Sequence, residues 1–327
     1  MKTILKTFLV LCLCTIANVA FSNGSTNADQ LFDQEKFQEV LQIYLLPEHN
    51  QDSNNQNRIG YIYLKEFKDE KKAFHWFMKS AEQGDMYGQY NLGQLYKQGI
   101  GGRKDYQQAF QWLSKAAEQG HAKAMATLGN LYADGLGVEK DEVKAVTWYV
   151  EAAKKDDRDG QCNAAGIFTH GTVINTSYHN ARLLLEWCLK SDPDDDCCLE
   201  RMAVLYSKGW GVKQDRKKAH ELRTKAATNG NAVAMYMLAG DFDYGIGVEK
   251  NPKAALEWYL KAAEKGESYA MYRLYEVYEY GKLGQSVDKT RATAWKAKAE
   301  AAMKEEGVTR NELMDRMRLR MEAESPT

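Results

Sequence analysis

The chain has 327 residues, a formal net charge of −1 and 27 % charged residues. It is long enough for a sizeable core, and its charge is too evenly balanced for a nucleic-acid binder, which needs a clustered cationic face. Only four residues are proline, which suits helices joined by short loops and excludes a proline-rich linker protein.

Lys2 and Lys6 precede an apolar run from Phe8 to Val19, and Ala20-Phe21-Ser22 then places small residues at a cleavage point. This pattern predicts a secretory signal peptide over 1–22 and a periplasmic mature chain from about Asn23. No later segment is apolar enough to span a membrane. Leu31, Phe32, Phe37, Val40, Leu41 and Tyr44 form a short amphipathic pair stopped by Pro47, so 23–52 is expected to carry N-terminal capping helices. At the other end Thr309 begins a helix with Leu313, Met317 and Met321 on one side. Residues 303–327 are therefore read as a C-terminal capping helix and tail.

Between these ends, over 53–302, one phrase recurs about every 36 residues, a period that signals a stacked array. One copy runs Ala124, Leu128-Gly129, Tyr132, Gly135-Leu136-Gly137-Val138, Asp141, Lys144-Ala145, Trp148-Tyr149. Seven copies align. Ala, Leu and Tyr four residues apart make one stripe of a first helix. A glycine ends that helix by taking positive φ. Asp141, or Asn251 before Pro252, caps a second helix carrying Ala145, Trp148 and Ala152. Copy four departs most: it reads Ala165-Gly166 for Leu-Gly, has Thr169 for Tyr, and lacks Gly-x-Gly-Val. The expected fold is all-α, a right-handed α-solenoid of about seven hairpins with capping helices at both ends.

Six cysteines occur, of which Cys12 and Cys14 lie in the signal region. Cys162, Cys188, Cys197 and Cys198 remain, and export makes them disulfide candidates. A vicinal Cys197–Cys198 bond is strained, which leaves two pairings open.

The phrase resembles the Sel-one-like repeat, a longer relative of the tetratricopeptide repeat, over about residues 53–302. The resemblance implies a protein-binding scaffold. Periplasmic members include immunity proteins that bind secreted toxic effectors such as lipases. It also implies that first helices line a concave groove. Counted from the motif Ala, positions +1, +4 and +8 are then core and positions +2, +3 and +6 face the groove. The candidate partner-binding residues are Tyr90, Asn91, Gln94, Asn130 and Asn163, an amide-rich half, and Arg201, Tyr236, Tyr272 and Arg273, of types enriched at interface hot spots.

Catalytic words are scarce. Ser286-Val287-Asp288-Lys289 matches the Ser-x-x-Lys of penicillin-interacting enzymes but lacks its companion words. It also falls on the repeat's ordinary turn and cap. The six histidines have no ligand spacing and are expected at surfaces and linkers. Asp192 and Asp194-Asp195-Asp196 read as a solvated turn with helix N-terminal charge. Asn23-Gly24-Ser25 and Asn175-Thr176-Ser177 match the glycosylation acceptor word. The expectation is therefore a non-catalytic protein binder without cofactor or metal. The alternatives are a cell-envelope enzyme or β-lactam-interacting protein, and a general envelope-maintenance scaffold.

Overall fold

The computed structural model describes residues 24–170 and 177–306. The expected signal peptide, the two acceptor asparagines and the helix expected from Thr309 lie outside the described residues. Within them are sixteen α-helices and no strand. Helices α1 (Gly24–Asp33) and α2 (Phe37–Tyr44) come first. Seven hairpins follow. They are α3 (Ser53–Lys65) with α4 (Glu70–Glu82), α5 (Met86–Gln98) with α6 (Tyr106–Glu118), and α7 (Ala122–Asp134) with α8 (Glu142–Ala153). Next come α9 (Arg158–His170) with α10 (Tyr178–Ser191), and α11 (Asp196–Lys208) with α12 (Arg216–Thr228). The last are α13 (Ala232–Tyr244) with α14 (Pro252–Glu264), and α15 (Ser268–Tyr280) with α16 (Lys289–Glu306). The chain divides into two compact units at Ala145, within α8. In each, helices pack on their neighbours in chain order, the organisation of an α-solenoid.

Capping sets the helix boundaries. Asp52, Asp85, Asp195 and Asn231 accept the third N–H of first helices, and Asp69, Asp105, Asp215 and Asn251 do so for second helices. Each second-helix cap is itself tied back: the Asp141 N–H donates to Tyr132 O at 2.9 Å and the Asp105 N–H to Tyr96 O at 3.0 Å. The motif aromatic therefore fixes the start of the next helix through its backbone. Ile59, Leu92, Leu128, Met202, Leu238 and Leu274 form the buried row of first helices, against Ala73, Ala109, Ala145, Ala181, Ala219, Ala255 and Ala292 of the second.

The linker's second glycine makes the junction between copies. Gly137 has φ 71°, and a Cβ there would stand 2.1 Å from Tyr106 O in the first turn of α6. Alanine is excluded twice, by conformation and by space. Gly137→Ala is expected to cost about 2 kcal/mol or more and to lower the thermal midpoint of unfolding. An unchanged midpoint would contradict this junction.

Copy four corrects the expected register by one residue. Asp157 accepts the Gly160 N–H at 2.8 Å, which makes Gly160 the motif's small residue. Ala164-Ala165, not Ala165-Gly166, then stand for Leu-Gly, and the aromatic is retained as Phe168 rather than lost at Thr169. Phe168 O accepts the Ser177 N–H at 2.9 Å, the same tie as in the other copies. Two adjacent alanines offer either register to a pattern search, and the cap decides between them.

Candidate protein-binding surface

The first helices of unit one, α3, α5 and α7, stand side by side, and their side chains sort by position. The +3 residue reaches back to the preceding first helix: Asn91 Nδ2 donates to Asn57 Oδ1 at 2.8 Å. Thr127, at +3 of copy three, accepts from Gln94 Nε2 at 3.1 Å. Helices packed 8–10 Å apart cover whatever points along the row, so +3 is a seam. Positions −1 and +6 lie one helical turn to either side on the same stripe and stay open. They present Tyr87, 50 % exposed, with Gln94 and Asn130 half-buried, while the +6 residue of the first copy, Tyr61, packs its ring on Phe32 of α1 and Phe37 of α2 at 5.8 and 6.1 Å and keeps 38 % exposure. The extended stripe was available in the sequence as a seven-residue spacing, Tyr87 to Gln94, but counting from the motif Ala left Tyr87 out.

Tyr90 is half-buried and stacks on His121, with ring centroids 4.4 Å apart. Tyr87 meets the same imidazole edge-on at 5.3 Å. His121 is no simple surface histidine, because it caps α7: its Nδ1 accepts the Ala124 N–H at 3.1 Å. Burial, with Lys123 adding, holds its pKa below the ordinary 6.5. The unfolded chain therefore takes up a proton that the folded chain refuses. The stability is fully present above about pH 6.5 and is lost as pH falls toward the lowered folded value. His121→Asn keeps a cap without the titration. Urea midpoints between pH 7 and pH 5 are expected to fall further for the native protein than for His121→Asn. Parallel curves would contradict this role.

In unit two the same positions serve packing, which corrects the expected Tyr- and Arg-bearing half of the groove. Tyr236 is 6 %, Tyr272 5 % and Arg273 7 % exposed. The Tyr236 ring lies 5.8 Å from both Tyr259 and Tyr269, and Tyr272 lies 5.3 Å from Tyr275. Arg273 donates to Asp243 at 2.8 Å and to Glu276 at 2.7 Å. Tyr259 donates to the same Asp243 carboxylate at 3.3 Å. Burial, with Asp243 adding, pushes the Tyr259 phenol well above its usual range, so it stays neutral. Arg201 is half-buried and donates Nε to Cys162 Sγ at 3.0 Å. Asn163, half-buried, moves from +2 to +3 in the corrected register. Large residues on adjacent first helices fill the seam between them, so residue type alone does not mark a free surface.

The four cysteines form Cys162–Cys197 and Cys188–Cys198, one of the two pairings left open. The first joins α9 to α11 and the second α10 to α11, so both bonds converge on the first turn of α11. Cys188, Cys198 and Asp195 lie within reach of one point, but the two sulfurs are spent on their disulfides. Asp195 caps α11 by accepting the Cys198 N–H at 2.9 Å. Asp192 pairs with Arg158, and Asp194 with Lys225 at 2.8 Å. Around Ser286, Asp288 caps α16 by accepting the Arg291 N–H at 2.9 Å, and Lys289 pairs with Glu279 at 2.6 Å.

A second departure from expectation is His220. Its side chain is only 15 % exposed, with Nδ1 3.1 Å from Asp241 Oδ2, and Arg223 Nη1 donates to the other carboxylate oxygen at 2.5 Å. Arg223 stands where other second helices carry Phe77, Leu113, Leu185 or Tyr259. Asp241 stands where other first helices carry Ile62, Leu95, Leu131 or Leu205. One apolar core pair has been replaced by an ion pair.

No helix among the described residues is long and apolar enough to cross a membrane. The Sel1 repeat profile matches residues 56–85, 87–121, 122–157, 198–231, 232–267 and 268–301, passing over the hairpin of copy four. Among solved structures the chain is similar to a Sel1 repeat protein of Oxalobacter formigenes, at 27 % identity and TM-score 0.57 over 85 % of this chain and 99 % of that one. It is also similar to a protective antigen of uropathogenic Escherichia coli with an SLR fold, at 27 % identity and TM-score 0.57, over 80 % of this chain and 64 % of the antigen. An immunity protein of Pseudomonas aeruginosa shares the fold at 22 % identity and TM-score 0.50, over 67 % of this chain and 82 % of that one. No curated protein matches the chain. With six matched copies spanning more than half of its length, the chain belongs to the Sel1 repeat family.

Proposed function

We propose that the protein is an exported, non-catalytic scaffold that binds one protein partner on the first-helix face of its first unit. The observation that carries this reading is the exposure of Tyr87 beside the half-buried amides Asn91 and Gln94. Tyrosine offers large contact area at low entropic cost and is enriched at interface hot spots. Asn91 and Gln94 each spend the side-chain N–H on a neighbouring first helix, and a side-chain carbonyl can also accept from a partner. In unit two the tyrosine that corresponds to Tyr87, Tyr269, is buried, as are Tyr236 and Tyr272, so the surface is assigned to unit one. Export rests on the pattern of residues 1–22, with the two disulfides in keeping with an oxidising compartment.

A narrower form of the proposal follows from kinship: the partner is a secreted toxic effector such as a lipase, neutralised by binding. The immunity protein noted above is related closely enough to share a fold, and the toxin itself enters only as this proposal.

Capture from periplasmic extract tests the reading. The native protein is expected to retain one protein in stoichiometric amount, and Tyr87→Ala to lose at least tenfold of that affinity with an unchanged thermal midpoint. Tyr236→Ala, at a packing position, is expected to lower the midpoint instead. Undiminished capture by Tyr87→Ala would overturn the assigned face.

A further inference from the structure

Copy two departs at one linker position from the copies that share its linker, and at the next from copies three and six. Copies three, five and six read Gly135-Leu136-Gly137-Val138, Gly209-Trp210-Gly211-Val212 and Gly245-Ile246-Gly247-Val248, and in each the valine is partly buried. Copy two, with a linker of the same length, reads Gly99-Ile100-Gly101-Gly102. The valine has become Gly102, and nothing lies within 4 Å of where its Cβ would be. The next residue is Arg103, where copies three and six carry Glu139 and Glu249 and copy five carries Lys213.

A surface cavity of about 570 Å³ opens at this place, lined by Phe74, Leu95, Tyr96, Ile100, Arg103 and Lys104 among others. That volume is in the range of ligand pockets and exceeds the space of one missing side chain. Its floor is apolar: Leu95 is buried, and the Phe74 and Tyr96 rings meet edge to face at 5.2 Å. Its rim is cationic. Arg103 and Lys104 are exposed, and neither has a carboxylate within ion-pair distance among the described residues. The one carboxylate in the lining, Asp105, is occupied in accepting the Gln107 and Gln108 N–H groups at 3.0 Å. The loop is held in place from the neighbouring copy, where Glu70 accepts the Gly101 N–H at 3.2 Å.

We infer that this cavity is an anchor site for a protein partner, taking a branched aliphatic side chain that is flanked in the partner's chain by Asp or Glu. The aliphatic group fills the place that the other copies fill with their own valine, and the carboxylates meet Arg103 and Lys104. Burying a valine-sized side chain contributes about 1.5–3 kcal/mol, and exposed charges add little, so a short peptide alone binds weakly. The inference rests on the protein-binding reading and adds to it a second contact with a stated chemistry.

The test exploits the repeat itself. Gly102→Val installs the residue of three other copies at a position that is not left-handed and has open space, so the variant is expected to fold with a thermal midpoint at or above the native one. The probes are blocked peptides Gly-Gly-Asp-Val-Asp-Gly-Gly and Gly-Gly-Lys-Val-Lys-Gly-Gly, observed by saturation-transfer NMR at the valine methyls. The native protein is expected to saturate the acidic peptide's methyls at least threefold more than the basic peptide's. That signal is expected to fall at least threefold in Gly102→Val and in the charge-reversed Arg103→Glu/Lys104→Glu. Equal signals for Gly102→Val and native protein, or no signal with native protein, would overturn the anchor. If the anchor alone is wrong, partner capture persists and still depends on Tyr87. If the protein-binding reading is wrong, no partner is captured whatever the peptides do.

Discussion

Asp241→Ala is expected to be among the most damaging single substitutions in the chain, costing about 3–5 kcal/mol, because it leaves the fully buried Arg223 guanidinium without its carboxylate. The cost comes from stranding a charge, not from losing a strong bond. The double variant Arg223→Leu/Asp241→Leu is therefore expected to recover most of the loss or to exceed native stability. It restores the apolar pair that the other copies use at these two positions, such as Leu113 and Leu131. Urea unfolding of the single and double variants measures both. A single variant within about 1 kcal/mol of native, or a double variant no better than the single, would contradict the account. The ion pair then offers specificity: it matches α12 to α13 and to no other first helix, a registry role that buried polar pairs take in some repeating structures.

The second large effect concerns copy four. Replacing Cys162 and Cys197 together by alanine is expected to destabilise unit two by roughly 3–4 kcal/mol, the loop-closure value for a separation of 35 residues. Copy four lacks the Gly-x-Gly-Val linker through which other copies dock on the preceding hairpin. Two covalent ties fasten both of its helices to α11 of the following hairpin instead. Unfolding of the native protein with and without a thiol reductant gives an independent reading. The reductant is expected to lower the midpoint of the native protein more than that of the Cys162→Ala/Cys197→Ala variant. A midpoint insensitive to reductant would contradict the role given to these bonds.

Most of the scaffold was legible because the repeat writes each packing element several times. The Leu row, the small Ala positions of the second helices and the Asp or Asn caps appear in the structure where the period puts them, from Ile59 and Ala73 through Leu274 and Ala292. Copy four was misread by one residue because Ala164, Ala165 and Gly166 carry little pattern, and the Asp157 cap is a local hydrogen bond that no period encodes. The surface was harder. Tyr236 and Tyr87 are both tyrosines on first helices, and whether a ring is buried depends on what its neighbours in the row supply. Around Tyr236, Tyr259 and Tyr269 close over it, whereas Tyr87 has only the edge of His121. The Arg223–Asp241 pair shows the same limit, since neither residue alone names the partner that lets it be buried. The valine missing at Gly102 was in plain view as a departure from the phrase, and only the cavity beside it gives that departure a meaning.

The central claim is that one protein partner is held on the first-helix face of unit one, and cross-linking in living cells tests it most directly. A photo-reactive side chain placed at Tyr87 is expected to capture a single protein, and the same group at the exposed Glu257 of α14 none. No adduct at Tyr87, or the same mixture of proteins at both positions, would contradict the claim.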